Sequence, residues 1–426
     1  MIAITLVALL ALLVVGVPIG MAFGLAGFQF GAAKGIAMDA LASIPYESVT
    51  SFPLLAIPLF LLMGELMKEG ALASQLLNFM SRMVGRLRFA TGYVVVGTCA
   101  FMGAITGSSV ATVSAVGGLI KEPMLAKGYP IGYIGALSAS AGLLGCLIPP
   151  SIPLIVYGAT AGVSVSDLFL ASLVPGLCYV LVFAGVHRFL APRLRGPAGV
   201  PESAVAVGSA ASPNVSLASS APALAMPIVV LGGIYGGIFT PTEAAAAGCA
   251  YALVFYLLRF GLRSKVLSSA FGKAAIASAA VISILAFASI FNRALTLMQV
   301  PTHFAEYALS LTTNPMMFLL LVNLVMLVVG MFMETNTAVL LMAPLLAPVA
   351  SRYGIDPLHF GVILVTNIEV GLLTPPMAAN IFVASNTTGS PMAAMVRYVW
   401  PFLGAAICML LVVTYVPFLT IWPKLL

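Results

Sequence analysis

Charge is what this 426-residue chain has least of: Asp, Glu, Lys and Arg together make 7% of it, against 62% hydrophobic residues. A soluble domain carries roughly a quarter of its residues charged, so an ordinary water-exposed surface is excluded. The formal net charge of +6 does not point to nucleic acid, because the Lys and Arg residues are scattered between apolar runs and do not build one basic face. The five cysteines, Cys99, Cys146, Cys178, Cys249 and Cys408, sit singly inside apolar segments, which excludes a disulfide framework and a cysteine metal site. The first fifteen residues lack a basic stretch, so they read as a first membrane helix and not as a cleaved signal. Short alternating segments, the mark of a transmembrane barrel, are missing too. What remains is a chain of apolar runs of eighteen residues or more: an all-α polytopic membrane protein.

Two stretches in that chain are full of residues that a plain membrane helix has no use for. They are GAITGSSVATVS at Gly103–Ser114 and LGCLIPPS at Leu144–Ser151, and each has a partner in the second half. A shift of 227 carries Gly103 to Gly330, which opens GMFMETNTAVLL. A shift of 226 carries Gly145-Cys146-Leu147-Ile148-Pro149-Pro150 to Gly371-Leu372-Leu373-Thr374-Pro375-Pro376, and in the same register Gly128 meets Gly354 and Gly135 meets Gly361. A near-constant offset over separated patches marks an internal repeat, with its broken apolar segments as the working site.

The charges set the sense of the repeat. Lys68, Arg82, Arg86 and Arg88 lie in the connection 68–88, whereas its counterpart 294–314 holds no Lys or Arg. Positive charge marks the cytoplasmic side, so the second repeat runs upside down relative to the first. The first repeat occupies 1–195, with a re-entrant hairpin near 89–125 and a broken helix at 131–162. A cytoplasmic linker follows at 196–222, rich in Ala, Ser, Pro and Gly with Glu202 its only charge. The second repeat occupies 223–426, with a hairpin near 315–350 and a broken helix at 358–388. In the first hairpin the apolar return arm Val110–Ile120 is eleven residues, about 16 Å of helix against a hydrocarbon core of about 30 Å, and cannot cross. Ile131–Gly162 carries no charge from end to end, and Pro149-Pro150 removes two backbone donors at its middle, so it reads as one crossing unwound at its centre. The fold expected is therefore one of inverted structural repeats with two re-entrant hairpins and two broken helices.

Unwound backbone at membrane depth is tolerated only where protein buries it or a cavity receives it. Freed carbonyls beside a hydroxyl suit a small hard cation, and helix N-termini at the same depth suit an anion. Ser108, Ser109 and the carbonyls of Gly145–Pro150 supply one such set. Thr335, Asn336, Thr374 and the carbonyls near Gly330 and Gly371 supply its mirror image. The plainer alternative, that Gly, Ser and Thr only pack helices and Pro only kinks them, fits any single residue better than it fits two hairpin-and-Pro-Pro units at one offset.

GAITGSSVATVSAVG, LGCLIPPSIPLIVYG, GGIFTPTEAAAAG, METNTAVLLMAPLLAP, GIDPLHFGVILV and GLLTPPMAANIFVAS strongly resemble, in order, the large membrane subunit of the TRAP transporters, the tripartite ATP-independent periplasmic family. The resemblance covers essentially the whole chain. It implies a non-enzymatic, sodium-coupled secondary importer of organic acid anions (C4-dicarboxylate, sialic acid or a similar carboxylate) in the bacterial inner membrane, with an ion-transporter-like elevator fold and at least two Na+ per cycle. Its implied partners are a small four-helix membrane subunit and a periplasmic substrate-binding protein, besides the lipid bilayer. By motif, the first sodium site falls on Ser108, Gly145, Ile148 and Pro150, and the second on Gly330, Gly371, Thr374 and Met377. Substrate is expected near Ser108, Ser109, Asn336, Thr337 and Asn380. Ala379 departs from the glycine often seen there in the family.

Four carboxylates, Glu65, Glu243, Glu334 and Glu369, lie in or beside apolar segments, where an ionisable group is a functional candidate by default. Glu243 follows Thr240-Pro241-Thr242 and reads as a helix cap; for Glu334, at the second tip, a structural and a transport role weigh equally. Arg293 sits near the end of its span and is expected to snorkel. His187, His303 and His359 fall at segment ends and are expected at the interface. An intramembrane protease is excluded because no His or Lys lies at membrane depth to activate TGSS, and no paired intramembrane aspartates exist. A passive channel would need a repeated pore or rings of charge. A stand-alone sodium-coupled dicarboxylate carrier is the alternative that uses similar hairpins.

Overall fold

The computed structural model describes residues 8–9, 11–12, 15–33, 35–36, 38–70, 72–194, 217–375 and 378–425. Residues 196–216 of the expected linker and the site residue Met377 lie outside them, and the linker's last residues, 217–222, are corrected to the first turns of the helix Leu217–Tyr235. The described residues contain helix and no strand. Five helices are long and apolar enough to cross a bilayer: Val165–Leu194, Pro241–Phe260, Ser264–Leu297, Pro315–Phe332 and Met392–Tyr415. Two bent pairs add further spans, Leu41–Val49 with Phe52–Glu69 at 61° and Ile131–Leu147 with Ile152–Ala161 at 40°. The second of these is the unwound crossing expected at Pro149-Pro150.

The halves correspond element by element. Helices Ile152–Ala161 and Val165–Leu194 recur as Ala379–Thr388 and Met392–Tyr415, both at the shift that carries Gly103 to Gly330. The amphipathic helix Leu72–Val84, which buries Leu72, Leu76, Leu77 and Met80 along one face, has its counterpart in Val300–Leu311. The bent pair of the first half corresponds to the continuous 34-residue helix Ser264–Leu297. The reason is local: Pro53 opens the second member of the pair, and the same shift places Ala280 at the equivalent position, which leaves the helical ladder intact.

The two re-entrant units are Ala90–Thr106 with Ser109–Ala126, and Pro315–Phe332 with Thr335–Arg352. The first return arm is longer than its apolar run, 18 residues through Lys121 and Glu122, since both residue types are good helix formers and the end of an apolar run does not end a helix. Packing is exchanged between halves. The arm Ile152–Ala161 lies against Thr335–Arg352, and Ala379–Thr388 lies against Ser109–Ala126. Each broken helix is thereby completed by the other half's hairpin, so the two repeats share one core.

Struts fix where each broken helix begins. Tyr133 Oη pairs with His187 Nδ1 at 2.6 Å, and His187 Nε2 with the Phe89 carbonyl at 2.9 Å. In the second half, His359 Nδ1 meets Thr420 Oγ1 at 2.7 Å and its Nε2 meets the Thr414 carbonyl at 3.1 Å. His359 is the repeat equivalent of Tyr133, and Thr414 that of His187, so one strut recurs with the imidazole moved to the other partner. The interfacial placement expected for these histidines is corrected: His187 and His359 are buried, and His303 alone of the three is exposed, beside Glu306 at 3.6 Å. The cap expected at Glu243 is present as a reciprocal capping box, with Thr240 N–H donating to Glu243 Oε2 at 2.8 Å and Glu243 N–H to Thr240 Oγ1 at 3.3 Å; the second bond satisfies one of the helix's free N–H groups.

Two glycines allow the closest approach. A Cβ on Gly103 would fall 2.5 Å from the Leu144 carbonyl oxygen and 3.0 Å from Gly145 Cα; one on Gly330 would fall 2.6 Å from the Ile368 carbonyl oxygen and 3.0 Å from Gly371 Cα. Both obstacles are backbone, which cannot swing aside. Gly330→Ala should therefore lower thermal stability in detergent by about 1–3 kcal/mol. The control is Gly272→Ala, in a helix with nothing within 4 Å of the added carbon, which should be neutral or gain up to about 1 kcal/mol of helix propensity. Equal melting behaviour of the two variants would contradict this packing.

Candidate functional site

The first tip is built from Gly107 and Ser108. Gly107 adopts the left-handed conformation, with φ 61°, which only glycine takes without strain. That turn brings its carbonyl to the first break, where Ile152 N–H donates to it at 3.1 Å. Ser108 then caps the return arm, its Oγ accepting from Ala111 N–H at 3.4 Å, while its carbonyl accepts from Thr112 N–H at 3.0 Å. Gly145 packs onto this cap so closely that a Cβ there would lie 2.5 Å from both the Ser108 carbonyl oxygen and Thr112 Oγ1. Thr106 and Thr112 join their hydroxyls at 2.9 Å beneath it.

The second tip uses the same device with a different residue. Glu334 caps the return arm, its Oε2 accepting from Thr337 N–H at 3.2 Å and its Oε1 from Asn336 Nδ2 at 2.7 Å. Ser108 and Glu334 are 226 apart, as are Ala111 and Thr337, whereas Gly103 and Gly330 are 227 apart. The first tip is thus one residue longer, and Gly107 is the residue that absorbs the difference. Of the two roles weighed for Glu334, the structural one is visible as this cap. Thr337 is buried and committed to it.

The breaks close against the tips. Ile148 is extended and buried, and among the described residues no backbone N–H donates to the carbonyls of Ile148, Pro149 or Pro150. At the second break, Gly371 abuts Gly330, and Thr374 N–H donates to the Gly371 carbonyl at 2.8 Å. Thr374 Oγ1 reaches the Val370 carbonyl at 3.4 Å. No group of three or more His, Cys, Asp or Glu side chains that could hold a metal ion is found among the described residues. Cation-binding capacity here rests on carbonyl and hydroxyl oxygens, the donor type of a hard monovalent ion.

Between the tips lies a residue that the sequence motifs did not mark as part of the site. Glu369 is completely buried. Thr335 Oγ1, at the second tip, donates to its Oε1 at 2.7 Å. Ser109 of the first tip and Cys146 of the first break lie close enough to interact with it, yet no donor completes a hydrogen bond to Oε2. Cys146 in turn accepts from Ser109 N–H at 3.2 Å and points its thiol at the Gly107 carbonyl. One carboxyl therefore touches both hairpin tips and one break. The signal available in sequence was only that a glutamate stands inside an apolar run; its partners lie on three distant segments and cannot be read locally.

Asn380 stands at the start of the arm Ala379–Thr388. It lies on the arm that packs against the first return arm and the first broken helix, fully buried, with both amide atoms lacking a partner. Ser138, Ser140 and Ser151 on the first broken helix are likewise buried with unpaired hydroxyls. Unpaired polar atoms in a bilayer interior cost about 2–7 kcal/mol each, so a set of them marks space meant for polar occupants. Glu65 stands on Ala56–Glu69 next to Gly64, which packs on Thr106 at the first tip.

Comparison with known proteins agrees with this geometry. Residues 6–419 match the family described as "Tripartite ATP-independent periplasmic transporter, DctM component". The C4-dicarboxylate TRAP transporter large permease protein DctM of Pseudomonas aeruginosa is 39% identical, over 87% of this chain and 86% of that protein. The sialic acid TRAP transporter large permease protein SiaM of Vibrio cholerae is 32% identical, over 97% and 96%. The isethionate TRAP transporter permease protein DctMQ of Oleidesulfovibrio alaskensis is 38% identical over 95% of this chain, which spans 63% of that protein's length. In fold, the chain is similar to the Alcanivorax borkumensis YdaH transporter, whose crystal structure has an unusual topology, with a TM-score of 0.68 over 95% of this chain and 98% of that one at 15% identity.

The link through Glu369 can be tested directly. Thr335→Ala removes the hydroxyl donor to a buried carboxyl and should cost about 1–3 kcal/mol, seen as a lower melting midpoint in detergent. Thr335→Ser keeps the donor and should melt close to the parent. If the alanine variant melts like the parent, the bond is not holding the tips.

Proposed function

The chain belongs to the DctM component of the tripartite ATP-independent periplasmic transporters, and we propose that it is the transport subunit of a sodium-coupled importer of organic acid anions in the bacterial inner membrane. The observation that carries this reading is the meeting of two hairpin tips and a helix break on the buried Glu369. Hydroxyls and free carbonyls at membrane depth suit sodium. The helix N-termini at Ser109 and Thr335 suit an anionic substrate. Substrate classes are suggested by the relatives, whose names give C4-dicarboxylate, sialic acid and isethionate. The reading includes a periplasmic binding protein that delivers the anion, a small membrane subunit beside the scaffold, and movement of hairpins and broken helices as one body.

Sodium coupling has an energetic reason. One charge crossing the membrane is worth roughly 2.3 kcal/mol per 100 mV. A dianion entering an inside-negative cell loses about 4.6 kcal/mol per 100 mV on that scale, which two sodium ions only cancel and a third turns to gain. A monoanion already gains from two. For a dianion, at least two sodium ions per cycle are therefore required for voltage not to oppose uptake.

A stand-alone sodium-coupled dicarboxylate carrier, which would use similar hairpins, is the second reading. Reconstitution in liposomes separates them. With the two partner proteins and a sodium gradient, uptake of succinate, N-acetylneuraminate or isethionate should be robust, and replacing sodium by choline should reduce it to background. Thr374→Ala should raise the sodium concentration needed for half-maximal uptake. Undiminished uptake in choline sinks the coupling, and strong uptake by this chain alone promotes the stand-alone carrier.

A further inference from the structure

Arg293 stands apart from the site described so far. On the helix Ser264–Leu297 it lies well beyond Lys273, by about 30 Å along the axis. The two basic residues thus stand toward opposite ends of this helix, with Arg293 away from the basic end. Two adjoining cavities open there, of about 540 and 350 Å³, and both are lined by Ile44, Ser48 and Arg293. The smaller one reaches Thr160 on the first broken helix and Leu340 on the second return arm. Leu340 is about 7.5 Å of helix beyond Thr335. The space therefore runs from Arg293 to within two turns of the hairpin tip.

The cation in that space is uncommitted. Arg293 is exposed and makes no hydrogen bond or ion pair among the described residues, even with Glu47, which lines the larger cavity. The hydroxyls around it are already engaged: Ser48 with the Pro45 carbonyl at 2.9 Å, Thr160 with Val156 at 2.6 Å, Ser289 with Ala286 at 2.6 Å and Thr296 with Asn292 at 2.9 Å. A planar guanidinium with free donors, in a cavity of ligand size, matches a carboxylate or sulfonate bidentately. We propose that these cavities form an outer receiving site, in which Arg293 holds the substrate's acid group after delivery and before it passes to the tips. The proposal rests on the organic-anion reading above. Snorkelling to a lipid phosphate is the competing use of the same chemistry.

The test uses the chain with its partner subunits in nanodiscs of zwitterionic lipid, and phenylglyoxal, which adds to guanidinium groups. Labelling of Arg293 is read by peptide mass spectrometry. Millimolar succinate, N-acetylneuraminate or isethionate, whichever is transported, should slow labelling of Arg293 several-fold against chloride at equal ionic strength, while Arg259 is unaffected. In sodium-driven uptake, Arg293→Gln should raise KM about ten-fold, the loss of one charge-assisted bond, with the maximal rate within two-fold; Arg293→Lys should restore part of it. Labelling that none of the three anions alters, with KM unchanged in Arg293→Gln, overturns the receiving site while leaving transport intact. Protection by phosphatidylglycerol without added anion, and none by the three anions, overturns it in favour of a lipid site. Protection of Arg293 in a preparation that takes up none of the three sustains the site and overturns the transport reading instead.

Discussion

A helix that stops inside hydrocarbon leaves N–H and C=O groups that no water can satisfy, and the arrangement of this protein follows from how those groups are satisfied. At the first break the solution is a single backbone bond from Ile152 N–H to the Gly107 carbonyl. It ties the tip of a hairpin to the middle of the crossing that follows it in the chain. Gly107 can present its carbonyl because it is left-handed, and Ser108 can then restart a helix because its side chain takes the place of the missing turn. Remove either residue type and the tip has no way to turn around at that depth. The tight Gly103–Gly145 and Gly330–Gly371 approaches are the same constraint seen from the side: the broken ends must lie against backbone.

The pseudo-symmetry that results holds in path but not in charge. Ser108 corresponds to Glu334, and Glu369 to Leu143 at the same offset. The capping carboxylate Glu334 and the buried Glu369 both come from the second half. The first half answers with neutral groups, Ser109 and Cys146, laid against Glu369. A single carboxyl that touches both tips makes their positions interdependent. Displacing the second tip takes Thr335 from Glu369 and leaves a buried carboxyl unpaired, at a cost of about 2–7 kcal/mol, the usual magnitude for a buried polar group. Anything that supplies replacement hydrogen bonds or positive charge there lowers that cost.

Sequence showed these features unequally. The hairpin tips and helix breaks were legible because Gly and Pro act on their own backbone, so TGSS and LIPPS carry their structure with them. The cap at Glu243 was legible for the same reason. The bend in the first-half scaffold helix and its absence from Ser264–Leu297 were also written locally, in Pro53 and Ala280. The burial of His187 and His359 was not, since it depends on Tyr133, Thr414 and Thr420, all more than fifty positions from the imidazoles they meet. Glu369 was visible as a charge in an apolar run, but its role depends on three segments brought together by the fold. Asn380 was expected with Ser108, Ser109, Asn336 and Thr337, and its arm packs on the return arm that begins at Ser109; which half's hairpin an arm meets is a tertiary property that a motif cannot report.

The same exchange bears on how the proposed movement is possible. Within the core formed by the hairpins, broken helices and their flanking spans, polar bonds cross between elements repeatedly, as at Tyr179 to Ala406, Tyr157 to Pro357, Asn323 to Thr414 and Asn367 to Asn323. Between that core and the surrounding helices the bonds include Asn292 to Leu340 at 3.2 Å, Tyr235 to Phe169 at 3.4 Å and Tyr353 to the Thr312 carbonyl at 2.8 Å. An apolar boundary can shift register without leaving donors unpaired, because one apolar contact replaces another, whereas each directed hydrogen bond inside the core must be broken to deform it. The polar bonds thus tie the broken helices and their flanking spans to one another, while the exchanged arms meet the hairpins chiefly through packing. A boundary with fewer directed bonds lies outside that body, where sliding costs least.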